Sequence, residues 1–212
     1  EHGDRYVELG HVEPNRINLL PINRAKITLD KLEAAMKSGA QTGICVGIDA
    51  IDRPTGGFQT GLWILGARPG AGKTELATYI GHTASAQGNP VYFAQIEMSE
   101  SQSTNRELSM YSGVPYSKIT KAVSVNDEEF EKIANTIGKF EGLPFYLDSC
   151  PGIRVSKLIS KIKFYYKRYG IKMAIIDYLQ IMDIPTPKGG NRDQAIGVVT
   201  RKLKALANEL DI

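Results

Sequence analysis

The chain has 212 residues, a net charge of +3, 42% hydrophobic and 23% charged residues. These values describe a globular chain able to bury roughly 70% of its unfolded surface, and they exclude a low-complexity tail and a disulfide-dense scaffold. A charge of +3 does not by itself argue for a nucleic-acid partner.

Cys45 and Cys150 lie far apart without CxxC spacing, and His2, His11 and His82 show no ligand spacing. Neither a disulfide framework nor a zinc site is therefore expected, and reduced thiols in a cytoplasm are the default. No apolar run approaches the roughly 20 residues of a membrane span. The N-terminus is polar and charged, unlike a signal peptide. Since it begins with Glu1 rather than Met, a piece of a longer protein is the expectation.

In chain order, residues 1–27 contain Pro14 and Pro21 and no sustained period, which reads as an N-terminal arm. Leu29, Leu32 and Met36 recur at helical spacing before Gly39, so 28–40 reads as a linker helix that packs on its own domain or on a neighbouring subunit. From 41 to 212 apolar runs alternate with helical patterns. Leu62–Gly66, Pro90–Ile96, Leu143–Asp148 and Ile171–Asp177 read as buried strands. Glu75–Gln87 reads as a helix with Leu76, Ile80 and Ala84 on one face. Ser99 with Gln102 makes a capping-box pattern that starts another. Asp127–Phe140 is helical, with Phe130, Ile133, Ala134 and Ile137 expected inward. A further helix, about Val155 to Tyr169, closes at Gly170, and the last carries Ile196, Val199, Leu203, Leu206 and Leu210. The alternation predicts an α/β fold with a mostly parallel sheet flanked by helices.

Ala67-Arg68-Pro69-Gly70-Ala71-Gly72-Lys73-Thr74 follows a predicted strand and opens a predicted helix. That is the context of a P-loop, in which successive backbone N–H groups and the helix N-terminus cradle phosphate. Gly70 and Gly72 suit backbone conformations that a Cβ disfavours. Lys73 is the candidate contact to the β- and γ-phosphates, and the Thr74 hydroxyl the candidate ligand to Mg²⁺. Ala67 stands where many P-loops have glycine. An ordinary glycine-rich turn would not need the GKT ending.

ATP hydrolysis also needs a metal carboxylate and a base. Asp177 ends the apolar run Ala174-Ile175-Ile176 and is the candidate Mg²⁺ carboxylate, with Asp183 and Asp148 as competitors. Glu97, directly after Val91–Ile96, is the candidate catalytic base at a strand end; its plainer reading is an acid near a helix start.

These motifs, with their surroundings, resemble the ATPase domain of DnaB-type replicative helicases, within the RecA-like superfamily. The resemblance runs from about Leu29 to Ile212. It rests on GICVGIDAIDRPTGGF at Gly43–Phe58, the P-loop, FAQIEMS at Phe93–Ser99, DSCPGIRVSK at Asp148–Lys157, and NRDQAIGVVTRKLKALANEL at Asn191–Leu210. The narrowest string is IIDYLQIM at Ile175–Met182. The resemblance implies a RecA-like fold and a hexameric ring around one DNA strand, with ATP sites between subunits and 5′-to-3′ unwinding. Partners that it implies are single-stranded DNA, other copies of the chain, primase and a helicase loader. The family's glutamine sensor, arginine finger and further DNA loops would lie beyond Ile212. On that reading the domain is truncated at its C-terminal end, and the isolated chain should bind ATP but hydrolyse it weakly. The family's helical N-terminal domain is not recognisable in 1–27, as in a short-form or phage-encoded relative.

In the RecA-like fold the loop after the Asp177 strand faces a central channel, which makes Lys188 and Arg192 candidate DNA-phosphate contacts; a solvated loop is the alternative. The Val155–Tyr169 helix is basic and interleaved with tyrosines; a solvated basic face with core tyrosines is expected, and a stacking-and-phosphate surface is the alternative. A RecA-like recombinase ATPase and a non-catalytic, nucleotide-switched loader or assembly protein remain the alternative functions.

Overall fold

The computed structural model describes residues 21–38, 42–121, 124–182 and 191–212, and the chain divides into two compact units, 1–42 and 43–212. The first holds one described helix, α1 (Pro21–Ser38). It starts earlier than the periodicity predicts, because proline is disfavoured inside a helix but favoured at its first position. Its stripe residues Leu29, Leu32 and Met36 are exposed.

The second unit contains α2 (Asp49–Thr55), α3 (Lys73–Ala86), β1 (Val91–Gln95), α4 (Glu100–Ser112), α5 (Tyr116–Lys121), α6 (Asp127–Phe140), β2 (Phe145–Ser149), α7 (Val155–Tyr169), β3 (Met173–Asp177) and α8 (Arg192–Leu210). Among the described residues the sheet has three strands in the order β2-β1-β3. Both pairings are parallel, with Gln95 opposite Ser149 on one side and Asp177 on the other. Parallel neighbours require crossovers, and helices supply them. A sheet covered on both faces results, as the apolar strands predict.

The pleat of β1 sorts its side chains between the two faces. Tyr92 and Ala94, with Ile96 beyond the strand, join Leu158 and Ile162 of α7, Ile171, and Val199, Leu203 and Leu206 of α8. On the opposite face Val91 joins Ile80 and Ala84 of α3, Val46 and Met173. Gly81 lets α3 approach this face closely. A Cβ there would stand 2.6 Å from the Phe145 ring and 3.0 Å from Ile175 Cδ1.

Local signals act where they stand. Ser99 and Gln102 form the reciprocal capping box of α4, Asn126 and Glu129 cap α6 in the same way, and Gly170 closes α7 with φ 64°. The tyrosines of α7 are partly core: Tyr165 stacks on Tyr92 at 4.3 Å and Tyr169 on Tyr146 at 4.4 Å. Lys161 pairs with Asp148 at 2.6 Å and Lys163 with Glu209 at 2.7 Å. His82 is a core histidine among the rings of Tyr111, Phe140 and Phe145. Both cysteines are free thiols.

Two expectations fail. Leu62–Gly66 has no ladder partner among the described residues and is not a strand; Trp63, Ile64 and Leu65 are 44%, 77% and 42% exposed. An apolar run can be buried on both faces only if a neighbour supplies its hydrogen bonds, and hydropathy does not report neighbours. The expected inward stripe of α6 also faces outward: Phe130 and Ile137 are exposed, and so is Ala134, while Ile133 is half-buried. Periodicity finds an apolar face without saying what covers it.

Candidate nucleotide site

The turn ahead of α3 has the conformation its glycines allow. Gly70 and Gly72 have φ of 74° and 82°, a region that residues with a Cβ avoid. The Ala71 N–H donates to the Arg68 carbonyl at 3.2 Å, and the Leu76 N–H to the Gly72 carbonyl at 2.9 Å, so the turn runs directly into the helix. Ala67 through Ala71 are exposed, and Gly72, Lys73 and Thr74 half-buried. Lys73 and Thr74 therefore stand at the positive end of a long helix.

Opposite them is the end of β3. The Thr74 hydroxyl donates to Asp177 Oδ2 at 2.6 Å, and Lys73 Nζ lies 3.2 Å from Asp177 Oδ1. Asp177 is 2% exposed, so its charge is compensated at short range by the lysine and the hydroxyl. Lys73 Nζ also sits 3.9 Å above the Tyr178 ring, a contact that sequence reasoning missed. Its signal was the tyrosine directly after the carboxylate, since an aromatic face attracts a neighbouring cation.

Among the described residues no cluster of three or more His, Cys, Asp or Glu side chains could hold a metal ion. The Thr74 hydroxyl and the Asp177 carboxylate, in contact with each other, are oxygen donors of the kind that would suit Mg²⁺, which keeps most of its waters and takes one or two protein oxygens together with substrate phosphates. Thr74 Oγ1 and Asp177 are the residues that would hold it. Of the two competitors, Asp148 is engaged by Lys161 and by the Tyr92 hydroxyl at 2.8 Å. Burial first, then the hydrogen bond to Asp148 and its charge, push the Tyr92 hydroxyl far above its usual range. Asp183 lies outside the described residues.

Glu97 is exposed, beyond the C-terminal end of β1. The Ile96 N–H donates to the Asp177 carbonyl at 2.8 Å, so the turn carrying Glu97 is fastened beside the strand end carrying Asp177. This is the edge of a parallel sheet at which α/β folds bind ligands. The two DNA-contact candidates separate. Arg192 opens α8, is exposed, and donates from its guanidinium to the Gln180 carbonyl, whereas Lys188 lies outside the described residues.

A family model for the DnaB-like helicase C-terminal domain matches residues 43–212. The chain belongs to that family. It is 32% identical over 197 residues to the replicative DNA helicase DnaB of Leifsonia xyli subsp. xyli, covering 91% of this chain and 43% of the relative. It is 33% identical over 192 residues to DnaB of Pasteurella multocida, covering 87% and 41%. The chain thus spans about two-fifths of the length of these relatives. A solved ATPase domain superposes with a TM-score of 0.78 at 25% identity, covering 90% of this chain and 68% of the other. A DnaB-like replicative helicase, solved in a study of its interactions with primase, superposes with a TM-score of 0.76 at 26% identity, covering 91% and 46%. The DnaB-like fold is RecA-like, with helices on both faces of a parallel sheet. No described helix is long and apolar enough to cross a membrane.

Proposed function

We propose that this chain is the ATP-driven motor domain of a replicative DNA helicase, working in the cytoplasm as a ring of identical subunits on single-stranded DNA. The observation that supports it best is the convergence of Lys73 and Thr74, from the start of α3, on Asp177 at the end of β3. Such a pairing of a helix N-terminus with a strand-end carboxylate suits a magnesium-bound triphosphate.

In this reading the turn Ala67–Gly72 receives the phosphates through its backbone N–H groups, and Lys73 moves from Asp177 to the β- and γ-oxygens. Mg²⁺, when bound, neutralises the charge developing on the phosphates. Thr74 and Asp177 orient it, and Glu97 directs the attacking water and accepts its proton. Arg192 and Lys188 take DNA phosphates, a contact independent of sequence and weakened by salt. The kinship to replicative helicases, one of them studied with primase, favours primase and a loader as partners.

The test is forked-duplex unwinding by the full-length protein, run beside strand exchange. Unwinding that requires ATP and disappears in Lys73→Ala is expected. Strand exchange without unwinding would assign a recombinase, and tight ATP binding retained by Lys73→Ala would remove the phosphate role.

A further inference from the structure

Glu97 is the residue on which hydrolysis depends in the reading above, yet its side chain is exposed and the turn that carries it is short. What fixes its direction is the backbone from Ile96 to Ser99, and that backbone is bound from several sides.

Gln95 is the last residue of β1 and is fully buried, at 0% exposure. Its side chain turns back toward the turn. Gln95 Oε1 accepts from the Glu97 N–H at 3.1 Å and from the Met98 N–H at 3.3 Å. Two backbone donors on one amide atom identify that atom as the oxygen, because the amide nitrogen cannot accept. From the neighbouring strand Ser149, in register with Gln95, donates its hydroxyl to the Met98 carbonyl at 2.9 Å. The Ile96 N–H is taken by the Asp177 carbonyl on the other side, and Ser99 is occupied in capping α4.

The other end of the Gln95 amide is unusual. Nε2 is buried without a hydrogen-bond partner among the described residues. Gln95 is among the residues that line a cavity of ≈ 10 Å³, with Thr74, Arg106, Glu107, Met98 and Leu147 also in its walls. A buried amide with one end unsatisfied works against stability, a cost that an apolar side chain of the same shape would avoid. The feature that distinguishes a glutamine from such a residue is the acceptor that Glu97 and Met98 use.

We propose that Gln95, assisted by Ser149, is a positioning residue for ATP hydrolysis: it shapes the β1–α4 turn so that Glu97 is presented to the attacking water. This rests on the reading of Glu97 as the base. Gln95 touches no substrate in this role and acts only through the backbone it binds.

Gln95→Met keeps the volume and removes the acceptor. In the intact protein it should lower kcat for DNA-stimulated ATP hydrolysis on the order of 10- to 100-fold, the effect of a displaced catalytic group. ATP affinity should stay within about threefold, and the unfolding midpoint should change little, because relief of the unpartnered Nε2 offsets the two N–H groups that lose their acceptor. On a Glu97→Gln background the same substitution should cause no further loss, because residues acting through one another are not additive. Gln95→Glu, which keeps an acceptor, should recover most of the rate. Independently of catalysis, hydrogen exchange of the Glu97 and Met98 amides should accelerate in Gln95→Met. Unchanged kcat, unchanged exchange, or losses that multiply with Glu97→Gln would each overturn the proposal. If Glu97→Gln hydrolyses ATP at the wild-type rate, the base assignment itself fails, while the exchange measurement still reports whether Gln95 orders the turn. Should Gln95→Met not fold, Ser149→Ala removes the opposite hydrogen bond and must show a smaller loss of the same kind, reversed by Ser149→Thr.

Discussion

Two apolar runs lead into the candidate nucleotide site, and they are held in opposite ways. Met173–Asp177 is paired along its length to β1, with Met173 and Asp177 buried. Leu62–Gly66 carries an equally apolar sequence and is exposed along Trp63, Ile64 and Leu65. Asp177 is therefore anchored by the strand that precedes it. Lys73 and Thr74 are anchored by the helix that follows them, through Ala77, Ile80 and Ala84 on the sheet. The glycine-bearing turn ahead of α3 is fixed from its downstream side.

This contrast can be broken by substitution. The largest effect belongs to the residue on which both arms meet. Asp177→Asn keeps the shape and removes the charge facing Lys73 and Thr74. A metal carboxylate carries several kcal/mol of transition-state stabilisation, so ATP turnover should fall by roughly 10³-fold, read in a steady-state phosphate-release assay. A wild-type rate would show that the carboxylate is structural.

Next comes the anchor of the turn. Ile80→Ala empties a buried site on α3 and should cost about 2–5 kcal/mol in urea unfolding. It should also weaken ATP binding, because the helix carrying Lys73 loses its seat. The smallest effect belongs to the upstream run: Ile64→Ala, at a position 77% exposed, should change stability by less than about 0.5 kcal/mol. A large loss at Ile64 together with a small one at Ile80 would reverse the comparison.

The sequence was most legible where structure is locally encoded. Asp127–Phe140 and Val155–Tyr169 are helices with the bounds their periodicity and caps predict. The strand ends at Gln95 and Asp177 fall within a residue of where the apolar runs stop. The pairing of Thr74 with Asp177 follows from a motif and a strand end, although the residues lie 103 apart.

Less local features were not legible. The short helix α2 is organised by Asp52, whose buried carboxylate accepts from the Val46, Gly47 and Ile48 N–H groups; no periodicity encodes that. The outward stripe of α6 and the exposure of Trp63–Leu65 depend on what covers them, which composition does not carry. Gln95 and Ser149 gave one signal, a polar residue ending each of two strands, but the turn they share joins segments 51 residues apart.

Gly81 ties these observations to the dimensions of the site. It lies two helical turns beyond Thr74, about 10 Å along the axis, where α3 rests on Phe145 of β2 and Ile175 of β3. The clearance there is that of a hydrogen atom, and a methyl group would wedge the helix off the sheet. The Thr74–Asp177 gap is thus gauged from a distance, by a spacer whose thickness is the smallest that an amino acid offers.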